Sequence, residues 1–148
     1  MIAGEREIIM MNTNSIVENG NKRLVIGARE AGWGRKPEVK IMVVEPSDET
    51  GAPLVKCCMT LYINSSEGLQ FDEVMAELTR RDRIENTVSD LKIGKFGKIE
   101  AKADLTYNGE KDRFTFCGER NGNTIGTFEI GGIDMVNALY EARAIACR

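Results

Sequence analysis

Apolar and polar residues alternate along Leu54–Asn64, and this is the period of a β-strand with one face on the core. The core-facing positions of this strand are Val55, Cys57, Met59, Leu61 and Ile63. Pro37–Pro46 has apolar residues on both sides, so we predict a strand that is covered on both faces. Lys22–Glu30 is predicted as the strand before it, and Gly32-Trp33-Gly34 lies between the two.

A helical period replaces the strand period after Asn64. Four apolar residues, Phe71, Val74, Met75 and Leu78, fall at i, i+3, i+4 and i+7. We therefore predict an amphipathic helix over Leu69–Asp82. Its acidic residues lie in the first turns and its arginines near the end, an order that the helix dipole favours.

The second half of the chain repeats strands and then a helix. Asn108-Gly109 and Asn121-Gly122 predict tight hairpin turns with positive φ angles. The strands predicted around them are Leu91–Phe96, Ile99–Tyr107, Arg113–Gly118 and Thr124–Ile130. Gly131-Gly132 precedes a predicted helix over Ile133–Ala146. Its core-facing residues are expected to be Ile133, Val136, Leu139, Tyr140 and Ala144.

These elements predict an α+β protein with two antiparallel meanders, each followed by an amphipathic helix. If Glu7–Met11 forms one more strand, the architecture is (ββββα) twice. We expect a single domain over residues 1–148, with a first unit at 1–83, a linker at 84–88 and a second unit at 89–148. Neither half has enough apolar surface to fold alone, so a shared core is expected. Short matches between the ends of the halves leave open whether they arose by duplication.

Composition narrows the class of protein. The chain has 42% hydrophobic and 29% charged residues, with no apolar run approaching the ~20 residues needed to span a bilayer. The first ten residues lack the apolar region of a signal peptide, so we expect a cytoplasmic protein that does not enter a membrane.

The chain has no histidine, and its four cysteines show no CxxC spacing. Serine and cysteine nucleophiles paired with histidine, and the common zinc sites, are therefore disfavoured, and the expectation is a non-enzyme without metal or cofactor. The cysteines, Cys57, Cys58, Cys117 and Cys147, are expected to be buried thiols. Gly32-Trp33-Gly34 lacks the third glycine of a dinucleotide site, and Asp48-Glu49 is expected to be a solvated turn.

The net charge of −3 is unevenly distributed along the chain. Lys22–Lys40 has six basic residues against two acidic ones, a net charge of +4. Ile41–Thr79 has seven acidic residues against Lys56 alone, a net charge of −6. This pattern favours a basic face on an acidic body.

The order of elements resembles the PUR-repeat and Whirly families of single-stranded nucleic-acid-binding proteins over residues 21–146. Asn21–Glu30 followed by Gly32-Trp33-Gly34-Arg35-Lys36 is similar to the opening hairpin of a PUR repeat, with a basic, aromatic-bearing turn before an apolar strand. The resemblance implies two repeats in one unit, curved sheets that present aromatic platforms and basic side chains to bases, and further pairing of units. Lys95-Phe96-Gly97-Lys98 only loosely matches the lysine- and glycine-containing segment of Whirly proteins.

Binding of single strands requires cations for phosphates and flat side chains for bases. Two segments provide both, and the candidate residues are Arg29, Trp33, Arg35, Lys36, Lys95, Phe96 and Lys98. Trp33 could instead fold back onto the core, and Phe96 could be a core residue.

The competing hypothesis is a small protein-interaction module, such as a regulator or a phage-type inhibitor, that presents an acidic face to a protein partner. The acidic balance and sparse aromatic residues favour it. Under either hypothesis we expect a homodimer, because an antiparallel meander leaves edge strands to be covered.

Overall fold

The computed structural model describes residues 12–66, 68–80, 85–93, 100–120 and 122–148. The first unit contains β1 (Asn12–Asn19), β2 (Lys22–Arg29), β3 (Glu38–Pro46), β4 (Pro53–Tyr62), β5 (Leu69–Gln70) and α1 (Phe71–Leu78). The second contains β6 (Glu85–Ile93), β7 (Glu100–Asn108), β8 (Arg113–Arg120), β9 (Asn123–Gly131) and α2 (Gly132–Ala146).

Each unit is an antiparallel meander. The first sheet has the order β1-β2-β3-β4-β5, in which only the two-residue β5 is parallel to its neighbour, and the second has the order β6-β7-β8-β9. A helix follows each sheet along the chain. The predicted α+β class, with two ββββα units, is confirmed.

The fourth strand of the first unit is β1, which the sequence pattern did not reveal. Its sequence NTNSIVEN has apolar residues only at Ile16 and Val17, so it shows no clear alternation. The expected strand at Glu7–Met11 lies outside the described residues.

Three predicted boundaries are wrong, and one of them is the end of α1, which lies at Leu78 and not at Asp82. Residues 85–88, expected to be a linker, belong to β6, where they pair with Asn108 to Leu105 of β7. Leu69 and Gln70, expected to begin the helix, instead pair in parallel with Leu61 and Tyr62. Strand pairing therefore overrides the local pattern at Leu69–Gln70 and at residues 85–88.

The predicted turn at Asn108-Gly109 is also wrong. The connection between β7 and β8 is longer, and its positive φ angle of 50° is at Asp112. The Asn108 side chain accepts hydrogen bonds from the backbone N–H groups of Glu110 (3.1 Å) and Lys111 (3.0 Å). An asparagine can thus stabilise a turn through its side chain without itself taking a positive φ. At the other predicted turn, Gly122 has a φ of +80° as expected.

One hydrophobic core joins the two units. It contains Ile63, Leu61, Val74, Leu78 and Leu139, with Val136 half-buried against it, as predicted. The second helix crosses to the other unit: α2 packs mainly on β1, β2 and β3 of the first sheet, whereas α1 contacts both β6 of the second sheet and β4 and β5 of its own.

The face that α2 turns to the core differs from the prediction. Ile133 and Tyr140 are 70% and 50% exposed, and Ala144 is exposed too. The buried residues are Met135, Ala138, Leu139, Ala142 and Ala146, which have the same helical spacing. Helical periodicity fits both faces, and the small alanines allow the helix to lie close to the sheet.

The two sheets touch where glycines face Cys57. A Cβ atom at Gly118 would meet the Cβ of Cys57, and one at Gly126 would lie 3.3 Å from its Sγ. Burial at this contact raises the pKa of the Cys57 thiol from 9.0 to about 12, with smaller contributions from Cys58 and Cys117. Glycine at these positions thus permits the close approach of β4 and the second sheet.

Candidate nucleic-acid interface

The loop between β2 and β3 ends in a tight turn. The backbone N–H of Gly32 donates to the Arg35 carbonyl at 3.1 Å, and the N–H of Arg35 donates to the Gly32 carbonyl at 3.0 Å. Gly34 has a φ of +70°, which a residue with a side chain rarely adopts. Trp33 is the other central residue of the turn, and it is fully exposed, with a relative accessible surface area of 105%. The alternative in which Trp33 folds back onto the core is therefore wrong.

Arg35 fixes the loop that carries Trp33. Its Nη2 and Nε donate to the Glu30 carbonyl at 3.0 and 3.3 Å. The guanidinium also lies over Gly32, where a Cβ atom would come within 2.9 Å of Nη2. Since the acceptor is an uncharged carbonyl, Arg35 keeps its positive charge beside the turn.

Arg29 has a different role from the predicted one. It lies opposite Glu38 in the β2–β3 register, and its Nη1 is 3.5 Å from Glu38 Oε1. Both side chains are largely covered, at 19% and 7% exposure. Glu38 thus neutralises Arg29 within the sheet, so Arg29 is not a free cation for phosphate.

Arg148, the last residue of the chain, forms an ion pair with Glu30 at the start of the loop. Arg148 Nε and Nη2 both lie 3.1 Å from Glu30 Oε1, although the two residues are 118 positions apart. This pair neutralises the carboxylate closest to Trp33 in sequence. Sequence reasoning missed Arg148, because only the packing of α2 on the first sheet brings it here.

An open groove of about 600 Å³ lies beside the turn, lined by Ala31, Gly34, Arg35, Lys36, Pro37 and Asn64. The backbone N–H of Ile63 donates to the Pro37 carbonyl at 3.1 Å and so joins the end of β4 to this loop. The next residue, Asn64, has a φ of 54° and lines the groove. Lys36 is exposed and makes no ion pair within the described part of the chain. Arg35 and Lys36 therefore give the groove a positive charge.

The second predicted basic and aromatic segment is residues 95–98. Lys95, Phe96 and Lys98 lie outside the described residues, so their roles, and the alternative of Phe96 in the core, stay predictions.

The outer faces of the two sheets differ from the basic, aromatic surface that the resemblance implies. On the first sheet, Val25, Met42 and Val44 are buried in a small apolar cluster with Val55 and Cys58. On the second, the described outward-facing side chains of β7, β8 and β9 include Asp104, Thr106, Thr115, Cys117, Glu119, Thr127 and Glu129. The carboxylates among these side chains repel phosphate, and none of the seven side chains offers an aromatic platform for bases.

No family model matches the chain, and no curated protein matches its sequence. Within the described residues, no helix is long and apolar enough to cross a membrane. The same residues contain no group of three or more histidine, cysteine, aspartate or glutamate side chains placed to hold a metal ion.

Proposed function

We propose that the protein binds single-stranded nucleic acid, DNA or RNA, at the loop between β2 and β3. In this proposal a base stacks on Trp33, and Arg35 and Lys36 contact the neighbouring phosphates. The observation that carries it is the full exposure of the sole tryptophan on a hydrogen-bonded turn that two cations, Arg35 and Lys36, follow in the chain.

The rigidity of the turn favours this use of Trp33. Burying a large aromatic ring is favourable, so folded proteins normally pack such a ring against other side chains. An exposed ring lacks this stabilisation. Here two backbone hydrogen bonds and the Arg35–Glu30 contact hold the loop in place. A base that stacks on the ring covers it without the entropic cost of ordering the loop.

The resemblance to PUR-repeat and Whirly proteins supports the proposal through topology, since both have two ββββα units in one body. The surface differs, because the outer face of the second sheet is acidic and that of the first is buried. We therefore place the contact at the loop and its groove rather than on a sheet face.

The test uses Trp33 fluorescence during titration with a single strand of about 12 nucleotides. Emission should be quenched to saturation, and affinity should fall as salt rises, because phosphate contacts release counterions. Trp33→Ala should lower affinity about 5- to 150-fold, since stacking contributes roughly 1 to 3 kcal/mol per base, and Trp33→Phe should retain much of it. Anisotropy of a labelled strand measures both variants.

The controls separate stacking from general electrostatics. Lys36→Ala should reduce the salt slope by about one unit without abolishing binding. Ile133→Ala changes an exposed apolar residue on α2 and should leave affinity unchanged. Duplex DNA should compete poorly, because its bases are already stacked. Unchanged emission together with no binding at low salt would exclude the proposal.

A second candidate function is a protein-interaction module. The threonine-rich outer face of β7, β8 and β9 favours it, since three carboxylates, Asp104, Glu119 and Glu129, lie on one side of the sheet with one described cation, Arg113, at its end. A basic protein partner would complement this face. Retained partner capture by Trp33→Ala, and its loss in Glu119→Gln with Glu129→Gln, would support this function instead.

A further inference from the structure

A second cleft lies at the start of α2, away from the Trp33 loop. It has a volume of about 200 Å³, and its lining includes Thr79, Tyr107, Asp112, Ile133, Val136 and Asn137. The end of α1, the loop between β7 and β8, and the first turns of α2 meet here. None of these residues takes part in the proposed nucleic-acid contact.

The carboxylate of Asp112 is held in a fixed position. Tyr107 donates its hydroxyl proton to Asp112 Oδ1 at 2.8 Å, and the Gly132 N–H donates to the Asp112 carbonyl at 2.8 Å. Asp112 also has a φ of 50°, a conformation that side-chain-bearing residues adopt infrequently and that surrounding contacts must maintain. A Cβ atom at Gly132 would meet Oδ1, so the glycine makes room for the carboxylate.

One oxygen of this carboxylate is free. Oδ1 accepts the Tyr107 proton, whereas Oδ2 has no hydrogen-bond partner within the described part of the chain. Two charged groups lie beside Gly131, the residue before Gly132: Asp134 Oδ2 lies 3.6 Å from a Cβ built at Gly131, and Arg113 Nη1 lies 4.0 Å from it. These two charges have opposite signs and flank the same glycine. Asp112 therefore gives the cleft its negative charge.

The remaining walls are apolar or uncharged. Ile133 is 70% exposed, and Val136, one helical turn further on, is mostly covered. Tyr107 supplies an aromatic ring, and Asn137 supplies an exposed amide. A carboxylate beside a ring and branched apolar side chains complements a cation that has an aliphatic stem.

We propose that this cleft binds a primary alkylammonium group. The ammonium donates to Asp112 Oδ2, and its methylene chain lies along Ile133 and Val136. The same chemistry belongs to a lysine side chain of a partner protein and to a free polyamine. This proposal is independent of nucleic-acid binding at Trp33.

The experiment follows backbone and side-chain amide resonances during titration with n-butylammonium. The Gly132 N–H and the Asn137 amide should shift and saturate, while neutral N-butylacetamide should shift them much less. Asp112→Asn should weaken binding about fivefold, because it removes the charge of a solvent-accessible ion pair. Asparagine adopts a positive φ readily and keeps the acceptor for Tyr107, so this variant should stay folded.

Asp134→Asn is the matched control, since it removes a neighbouring charge that does not line the cleft, and it should bind as the wild type does. A lysine-containing peptide with its Nε-acetylated form, and spermidine in a parallel titration, distinguish the two sources of the ammonium. Tighter binding of either than of n-butylammonium supports the proposal and identifies the source. Equal binding by Asp112→Asn and the wild type, or equal shifts with N-butylacetamide, would overturn it.

Discussion

Single side chains in this protein were predictable where their own neighbours in sequence decide their environment. Trp33 was expected in a basic, glycine-flanked turn, and the structure places it there, fully exposed. Arg29 was assigned to phosphate from its sequence neighbours alone, whereas the β2–β3 register places it opposite Glu38. Arg148 could not be found, since its contact with Glu30 depends on the position of α2.

Because of Cys57, the free energy of unfolding should decrease as pH rises into the alkaline range. Its pKa is raised from 9.0 to about 12, chiefly by burial, so the folded state holds the proton more tightly than the unfolded state. This contribution is fully present below pH 9 and is lost as pH rises toward 12. We therefore expect the urea midpoint of the wild type to fall steadily across that window.

Cys57→Ala should show a shallower fall, whatever its stability at neutral pH. Tyr107 titrates in the same direction, because its hydrogen bond to Asp112 raises its pKa, so Tyr107→Phe is the comparison that separates the two groups. Midpoints at pH 8, 9, 10 and 11 provide the measurement. Identical slopes for Cys57→Ala and the wild type would show that the thiol does not contribute.

Helices and strands were predicted well where alternation or helical spacing is strong. β2, β3 and β9 follow such patterns closely, whereas β1 has too few apolar residues to show one. In β4 a register shift interrupts the alternation, and Val55, expected to face the core, packs against the outer cluster instead. The face of α2 was wrong because two sets of positions share the helical period, and only contact with the first sheet selects between them. Periodicity identifies an element without identifying the surface on which it packs.

The packing of α2 on the first sheet makes each half incomplete alone. A fragment of residues 1–88 keeps the first sheet but loses α2, which covers β1, β2 and β3, and α1 loses most of β6. We expect this fragment to show poor amide dispersion and no cooperative unfolding, because the apolar face of the first sheet is left in water. Mixing it with residues 89–148 should restore dispersion. A fragment that unfolds cooperatively by itself would contradict the shared core.

At the scale of the whole molecule, the edge strands among the described residues are β1 and β5 in one sheet and β6 and β9 in the other. Lys22 Nζ donates to the Thr127 carbonyl of β9 at 3.4 Å and so occupies one group of that strand's backbone. Edge strands promote pairing between chains, and we predict a homodimer. Light scattering at high micromolar concentration should give the mass of two chains, and a monomer throughout the range would contradict this.

The position of α2 late in the chain also affects folding during synthesis. α2 follows β2 by more than 100 residues, and synthesis at roughly 5 to 20 residues per second separates the two by about 5 to 20 seconds. During that interval the strands that contain Leu24, Ile26 and Ile41 can pair, but α2 is not yet present to cover these side chains. The nascent chain should therefore engage chaperones at this face and release them only after α2 has emerged.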